Sequence, residues 1–406
     1  MRILYLTNGF PYPLTSGYLR HYFLMKELSQ RHAITLLSIV GANFAAEHVA
    51  ALTPFTEQVL TFTSRSKAGS LKRKAIGRLK SLAGAAQGDE ALRQMRAAVE
   101  RMTRAEPFDA VLFSGKRTYP AIAQIQGLPL VVDMCDATSV KIRGSVHYTR
   151  TARLPLLLLD YLQVRAAERM LIRNAAHLLF ASVRDRDALV GRASQATVLP
   201  NGVDTEFWRR TSRERGRNTI AFTGAMDYPP NTDAALYLAE QILPLVQRAV
   251  PDARALIVGR DPPPRLRQAG QRTGVTVTGF VDDVRPYLEQ ATVFAAPLRF
   301  GAGIQNKLLE ALAMELPVVA SPLAADGLRT TEGHTPPAQI ARGAQEFADM
   351  LVQRLRERDG DPAPDAAARR YVESHFVWRR SGEKLDAVLE RVVRPQAGAC
   401  CVKRKA

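Results

Sequence analysis

The stretch FAAPLRFGAGIQNKLLEALAMELPVVAS, residues 294–321, decides how the chain reads. An apolar, strand-like run leads into Gly301-Ala302-Gly303. A helical pattern follows, with Lys307 and Glu310 in its first turns. A second apolar run, Pro317 to Ser321, closes the segment. Backbone N–H groups at a glycine turn and a helix start face an anion, so this order of elements suits a phosphorylated nucleotide. Lys307 adds a full positive charge. Glu310 lies three residues further on, on the same helix face, and can accept hydrogen bonds from sugar hydroxyls.

The same alternation extends outward in both directions. Strand patterns in the first half are Ile3–Thr7, Ala33–Ile39, Ala110–Phe113, Pro129–Asp133 and His177–Ala181. In the second half they are Thr219–Thr223, Ala255–Val258, Val275–Thr278, Val293–Ala296 and Pro317–Ala320. Helical patterns lie between them, including Gly17–Gln30, Pro155–Ile172, Asn231–Arg248 and Ile304–Met314. Strands alternating with helices predict parallel sheets covered on both faces, and two such series predict two doubly wound α/β domains. Leu199-Pro200-Asn201-Gly202 is turn chemistry and sets the boundary. Residues 1–198 read as the first domain and 199–375 as the second. Residues 376–394 read as a helix returning to the first domain, and 395–406 as a disordered basic tail.

Composition narrows the class. At 406 residues the chain exceeds one ordinary domain. It has no apolar run long enough to span a bilayer, and Pro11 and Pro13 interrupt the only candidate for a leader. Three cysteines, Cys135, Cys400 and Cys401, match no disulfide framework or metal spacing, which fits a reducing cytosol. The formal charge of +17 is uneven: residues 1–200 hold 27 Lys/Arg against 14 Asp/Glu. Arg65 to Lys80 carries seven basic residues and no acid, and within Ser64–Lys80 the apolar Leu71, Ala75, Ile76 and Leu79 recur at helical spacing. An anionic membrane surface is one partner for such a segment, and a solvated basic loop is the alternative. A nucleic-acid partner is disfavoured, because no RRM, KH or zinc signature is present.

Together the GAGIQNKLLEALA and PVVAS segments resemble the donor-binding motif of glycosyltransferase family 4. The subset it resembles has a GAGI-N-K loop and is typical of bacterial polysaccharide enzymes. LPNGVDTEFW, FTGAMDYPPN, GFVDDVRPYLEQATVFAAPL and the N-terminal TNGFPYPLTSGYLRHYFLMKELSQRHAITLLS resemble further segments of that family, in the same order. The resemblance implies the GT-B architecture, two Rossmann-like domains facing across a cleft. It also implies a retaining transferase that needs no metal or cofactor. The donor would be a UDP- or GDP-sugar, and the acceptor a glycan or lipid-linked saccharide. The enzyme would face the cytoplasm, with the inner membrane surface as a peripheral site.

The resemblance also assigns roles. Gly224, Gly301, Ala302, Gly303, Ile304, Lys307 and Glu310 would hold the donor. Lys307, Arg299 and Asp136 would serve the reaction, and Gly17, Arg20 and Asp133 would lie on the acceptor side. Three departures stand out. Ala302 replaces the first of two family glutamates. The turn Ala225–Asn231 lacks the family's Arg and Lys, leaving Arg299 and Lys307 to supply charge. Cys135-Asp136 replaces His-Asp. On the residues alone, Arg20 reads equally as a solvated surface group, Asp133 and Asp136 as caps, and His21 as a packed surface histidine. Asp282-Asp283 reads as a helix start rather than a metal pair. Other classes compete less well. A dinucleotide oxidoreductase needs G-x-G-x-x-G where NGFPYPLTSG stands. An epimerase, a phosphorylase and a non-catalytic sugar-nucleotide-binding subunit remain as alternatives.

Overall fold

The computed structural model describes residues 1–14, 18–64, 90–116, 118–149, 151–211, 216–357 and 365–394. Gly17, residues 65–80 of the basic segment and residues 395–406 lie outside the described residues. The chain divides into two compact units. One comprises Met1–Ala181, Arg186–Leu199 and the chain from Trp378 onward; the other comprises Ser182–Asp185 and Pro200–Val377.

The first unit holds seven strands: β1 (Arg2–Thr7), β2 (Ala33–Gly41), β3 (Gln58–Ser64), β4 (Ala110–Ser114), β5 (Leu130–Cys135), β6 (His177–Phe180) and β7 (Ala196–Val198). They form one parallel sheet in the order β3-β2-β1-β4-β5-β6-β7. Alternate residues of β1 enter opposite cores. Leu4 and Leu6 pack with Val111 and Phe113 on one face, and Ile3 and Tyr5 with Leu36 and Leu112 on the other. Burial on both faces explains why these strands read as continuous apolar runs. The helix Trp378–Val393 belongs to this unit: Trp378 stacks on Phe23 at 4.8 Å, and Asp386 accepts hydrogen bonds from Arg31 and His32.

The second unit holds β8 (Thr219–Thr223), β9 (Arg254–Val258), β10 (Val275–Val277), β11 (Val293–Ala296), β12 (Val318–Ala320) and β13 (Gln339–Ile340), parallel in the order β10-β9-β8-β11-β12-β13. Strand order reverses between β1 and β4 in one sheet and between β8 and β11 in the other. Doubly wound sheets bind ligands at the carboxyl ends of strands beside such a reversal. In the second unit those ends are Gly224, after β8, and the segment running from β11 to Gly301-Ala302-Gly303.

Three strands escaped the pattern reading: β3, β7 and β13. β7 and β13 are only three and two residues long, and β3 lies at a sheet edge with mixed exposure. The helix expected over Asn231–Arg248 is not continuous. It begins at Pro229, widens into a π turn over Leu238–Ile242 and resumes at Leu243–Ala249. Pro244 explains the break, because it has no N–H to donate and its ring crowds the carbonyl four residues earlier.

One backbone contact shapes the reversal point. Gly259, just after β9, has φ +153°, and a Cβ there would lie 1.7 Å from the carbonyl oxygen of Gly224. Gly259→Ala therefore combines a forbidden backbone region with a clash against backbone. It is expected to cost about 3 kcal/mol, read as a lower chemical-denaturation midpoint. A midpoint within error of wild type would show that the two turns can separate freely.

Candidate active site

Gly224 takes φ +152° as the chain leaves β8, and its N–H donates to Val258 O at 3.0 Å. A Cβ at this position would sit 2.6 Å from Asn231 Nδ2 and 3.0 Å from Lys307 Nζ. The glycine therefore keeps a small space open beside a buried cation. Lys307 comes from the second position of the helix Asn306–Ala313 and is 8% exposed. Its Nζ donates to Asn231 Oδ1 and lies 4.7 Å from the centroid of the Phe222 ring. Asn231 in turn donates from Nδ2 to Ala225 O at 3.0 Å, which fixes its amide orientation. Burial pushes the Lys307 amine down to about 7, with Glu310 pulling the other way. Burial pushes the Glu310 carboxyl up to about 7, with Lys307 opposing. The Glu310 side chain makes no hydrogen bond among the described residues. A carboxyl and an amine both shifted by burial, three residues apart on one helix, are the kind of pair that clusters at functional sites.

The glycine loop takes the conformations its residues allow. Gly301 has φ +153° and Gly303 φ +72°. Ala302 is buried and Ile304 half-buried. Not every amide of this loop is available to an anion. The Gly303 N–H donates to Asp185 Oδ2 at 2.8 Å, where Asp185 belongs to the short segment grouped with this unit. The same carboxylate accepts from the Ser182 hydroxyl at 2.5 Å. Arg299 does not stand free. Its guanidinium grips Asp233 through Nε at 2.8 Å and NH2 at 2.5 Å, and lies 4.6 Å from the Tyr237 ring centroid. One helix, Pro229–Tyr237, thus engages both cations, Asn231 holding Lys307 and Asp233 holding Arg299. Asp283 accepts from Arg285 N at the start of the helix Arg285–Glu289. Among the described residues, no group of three or more His, Cys, Asp or Glu side chains could hold a metal.

The first unit places its residues differently from the surface readings. Arg20 and Asp133 are both buried and form a two-pronged ion pair, Nε to Oδ2 at 2.7 Å and NH2 to Oδ1 at 3.2 Å. Arg20 is therefore not a solvated surface group, and Asp133 is not a helix cap; each is the other's counter-charge. His21 is buried rather than superficial. Its Nδ1 lies 2.8 Å from Tyr5 Oη. Burial lowers its pKa to about 4, so the ring is neutral and Tyr5 donates to it. Asp136 is not a cap either. Its carboxylate accepts from Lys116 at 3.0 Å, Lys141 at 2.9 Å and the Thr138 hydroxyl. Burial raises its pKa, but the two lysines outweigh it and hold the carboxyl well below the usual carboxylate range. Such a group suits a fixed charge and not a proton acceptor. Cys135, with φ +55°, has its thiol pushed up to about 12 by burial and Asp133, so it is no thiolate nucleophile.

Sequence reading missed Asn231, Asp233 and Asp185 as partners of the loop. Only the first had a visible signal: a polar residue at a helix start after Pro229-Pro230, beside a turn lacking the family's own cations.

Known proteins resemble the chain in part of its sequence and in its fold. Residues 217–357 match the family described as Glycosyl transferases group 1. The chain is 32% identical over 187 residues to a phosphatidyl-myo-inositol mannosyltransferase of Mycobacterium leprae, covering 44% of the chain and 47% of that protein. It is 30% identical over 220 residues to a GDP-mannose-dependent alpha-(1-6)-phosphatidylinositol monomannoside mannosyltransferase of Mycobacterium tuberculosis, covering 48% and 56%. It thus spans about half the length of the curated relatives it matches. In structure it is similar to Anabaena Alr3699/HepE solved with UDP and glucose, with a TM-score of 0.66 at 16% identity over 96% of the chain and 99% of that protein. Sucrose-phosphate synthase from Thermosynechococcus elongatus gives a TM-score of 0.67 at 13% identity over 96% and 98%. The fold is therefore the GT-B fold, and residues 217–357 carry a domain that matches the Glycosyl transferases group 1 family.

Proposed function

We propose that the chain transfers a sugar from a nucleotide-diphosphate donor to a hydroxyl of a glycan on a lipid carrier, with retention of configuration, in building a surface or exported polysaccharide. The observation that carries this reading is the buried Lys307 held by Asn231 over Gly224, beside the uncommitted Glu310. Bond cleavage leaves negative charge on the diphosphate. Lys307 and the backbone amides around Gly301 and Ile304 stabilise that charge as it develops, while Asp185 keeps Gly303 in shape. Arg299, paired with Asp233, orients the loop and contributes little net charge. Glu310 accepts the ribose hydroxyls. The leaving phosphate takes the acceptor's proton, so no protein base is needed, in keeping with the fixed charge at Asp136. The mycobacterial relatives' GDP-mannose and the UDP bound by Alr3699/HepE bracket the donor class. Their phosphatidylinositol acceptors and the basic first half support a lipid-linked acceptor.

A pH series of donor binding tests this assignment. UDP-glucose and GDP-mannose keep a fully ionised diphosphate across neutral pH, so any pH dependence belongs to the protein. Lys307 must carry its proton to hold the diphosphate, and in the empty site it loses that proton near pH 7. Affinity for the preferred donor therefore falls as pH rises past 7. It weakens by up to about tenfold per pH unit above it, with proton uptake on binding visible by calorimetry in two buffers. Glu310 must be ionised to accept the ribose hydroxyls, so its own titration near 7 has the opposite sign and weakens binding on the acid side. Flat affinity from pH 6.5 to 9, or no thermal shift with any nucleotide sugar, overturns the assignment.

A further inference from the structure

Ten large hydrophobic side chains are exposed among the described residues, and six of them fall between Val140 and Met170. These six crowd one short stretch of the first unit, whereas scattered single residues would need no explanation. Its centre is the helix Leu154–Asn174, which opens LPLLLLDYL and buries no side chain before Val164. Leu158 is 58% exposed and Leu162 45%, one turn apart on one face. Val140 stands on the preceding helix, Thr138–Gly144, which is tied to the long helix by Ser139 N–H donating to Glu168 Oε1 at 3.1 Å.

The charge around these side chains has one dominant sign. Residues 138–173 hold seven Lys/Arg and two Asp/Glu, and one of those acids, Glu168, is fully buried. Arg143, Arg153, Arg169 and Arg173 are all exposed. A second copy of the chain docking on the same face would bring like charges together. An apolar helix face among arginines instead matches an anionic lipid surface, where leucines enter the acyl boundary and guanidinium groups meet headgroup phosphates. We propose that the helix Leu154–Asn174 docks the first unit onto an anionic membrane. The proposal draws on no residue of Ser64–Lys80 and does not depend on the donor chemistry of the second unit.

The test is co-sedimentation of the full chain with vesicles of pure phosphatidylcholine or of phosphatidylcholine with 30 mol% phosphatidylglycerol, as a composition of choice. Wild type is expected to bind the anionic vesicles in low salt and to be released by high salt. Leu158→Ser with Leu162→Ser lowers the partition constant by roughly 30-fold, from the loss of two inserted leucines. Arg143→Glu with Arg153→Glu lowers it by at least about tenfold and flattens the salt dependence. Both variants change exposed side chains, so circular dichroism and nucleotide-sugar thermal shift, read in the same samples, should match wild type. No binding by wild type, equal binding to neutral and anionic vesicles, or unchanged binding in both variants overturns the proposal. So does a leucine variant that loses self-association, seen by light scattering, instead of lipid binding. Loss of the nucleotide shift in wild type would overturn the donor reading and leave the docking result standing.

Discussion

Lys307→Met is expected to lower the rate of sugar transfer by about 100–1,000-fold while leaving the fold as stable as wild type or more so. The rate effect follows from where the charge sits. Lys307 is the cation buried beside Gly224, and its pairing with Asn231 is to a neutral amide. Arg299, by contrast, is neutralised by Asp233. Removing one donor aimed at charge that develops in the transition state costs about 100–1,000-fold. The loss should fall on kcat more than on KM. The stability effect has the opposite sign. An amine pushed down to about 7 by burial is one that the folded state resists charging. A methionine of similar length fills the same space without that penalty and forfeits one hydrogen bond to Asn231. A variant that is inactive yet melts no lower than wild type would mark Lys307 as kept for function at a cost in stability. Wild-type turnover in this variant would remove Lys307, and with it the whole donor assignment, from the mechanism.

Much of this site was legible because its parts are local. Gly301-Ala302-Gly303 and the helix carrying Lys307 and Glu310 lie within ten residues, and turn, helix and charge can be read from spacing alone. The strand series was legible for a similar reason, since strands buried on both faces are short apolar runs between turn residues. Partnerships were not. Asn231 meets Lys307 across 76 residues, Asp233 meets Arg299 across 66, and Asp185 meets Gly303 across 118. The first two pairs form only once β8 and β11 lie side by side. The missing Arg and Lys of the β8 turn suggested that Arg299 would supply charge. The structure instead places an acid on that same helix to cancel it. The pairing of Arg20 with Asp133 was hidden for the same reason. Each has the composition of a surface residue, and only a partner 113 positions away makes burial tolerable. Cys135 and Asp136 were visible as a departure from His-Asp, but the two lysines that immobilise the Asp136 carboxylate were not.

Asp133→Ala is expected to destabilise the first unit by about 3–5 kcal/mol, the largest stability effect among these substitutions. Arg20 would be left as a charge inside the core with its main counter-ion gone, and the Cys135 N–H would lose the acceptor it has at 3.2 Å. Tyr5 and His21 give no relief: both are neutral, and they already hydrogen-bond each other. The double variant Arg20→Met with Asp133→Leu removes both charges at once. It should recover about 2 kcal/mol or more relative to Asp133→Ala, because no buried guanidinium is then left without its main counter-charge. Urea unfolding of the two single variants and the double measures that coupling. Additive losses would mean that the two side chains do not depend on each other in the folded state. The pair also sets an acid limit. The Asp133 pKa is lowered: burial raises it, but Arg20 outweighs burial. Its stabilising contribution is therefore complete above the unfolded value of about 4 and is lost as pH falls below it. His21 acts earlier. The unfolded ring takes a proton near pH 6.5, and the folded ring refuses it until about 4. Stability therefore drops by up to about 3 kcal/mol across that window. Unfolding of wild type should thus weaken in two stages on acidification. His21→Phe should shrink the first stage, to which His177, also lowered to about 4 by burial, contributes as well, and Arg20→Met with Asp133→Leu should blunt the second. A His21→Phe profile as steep as that of wild type between pH 7 and 4 would mean that His21 is not buried in the folded state.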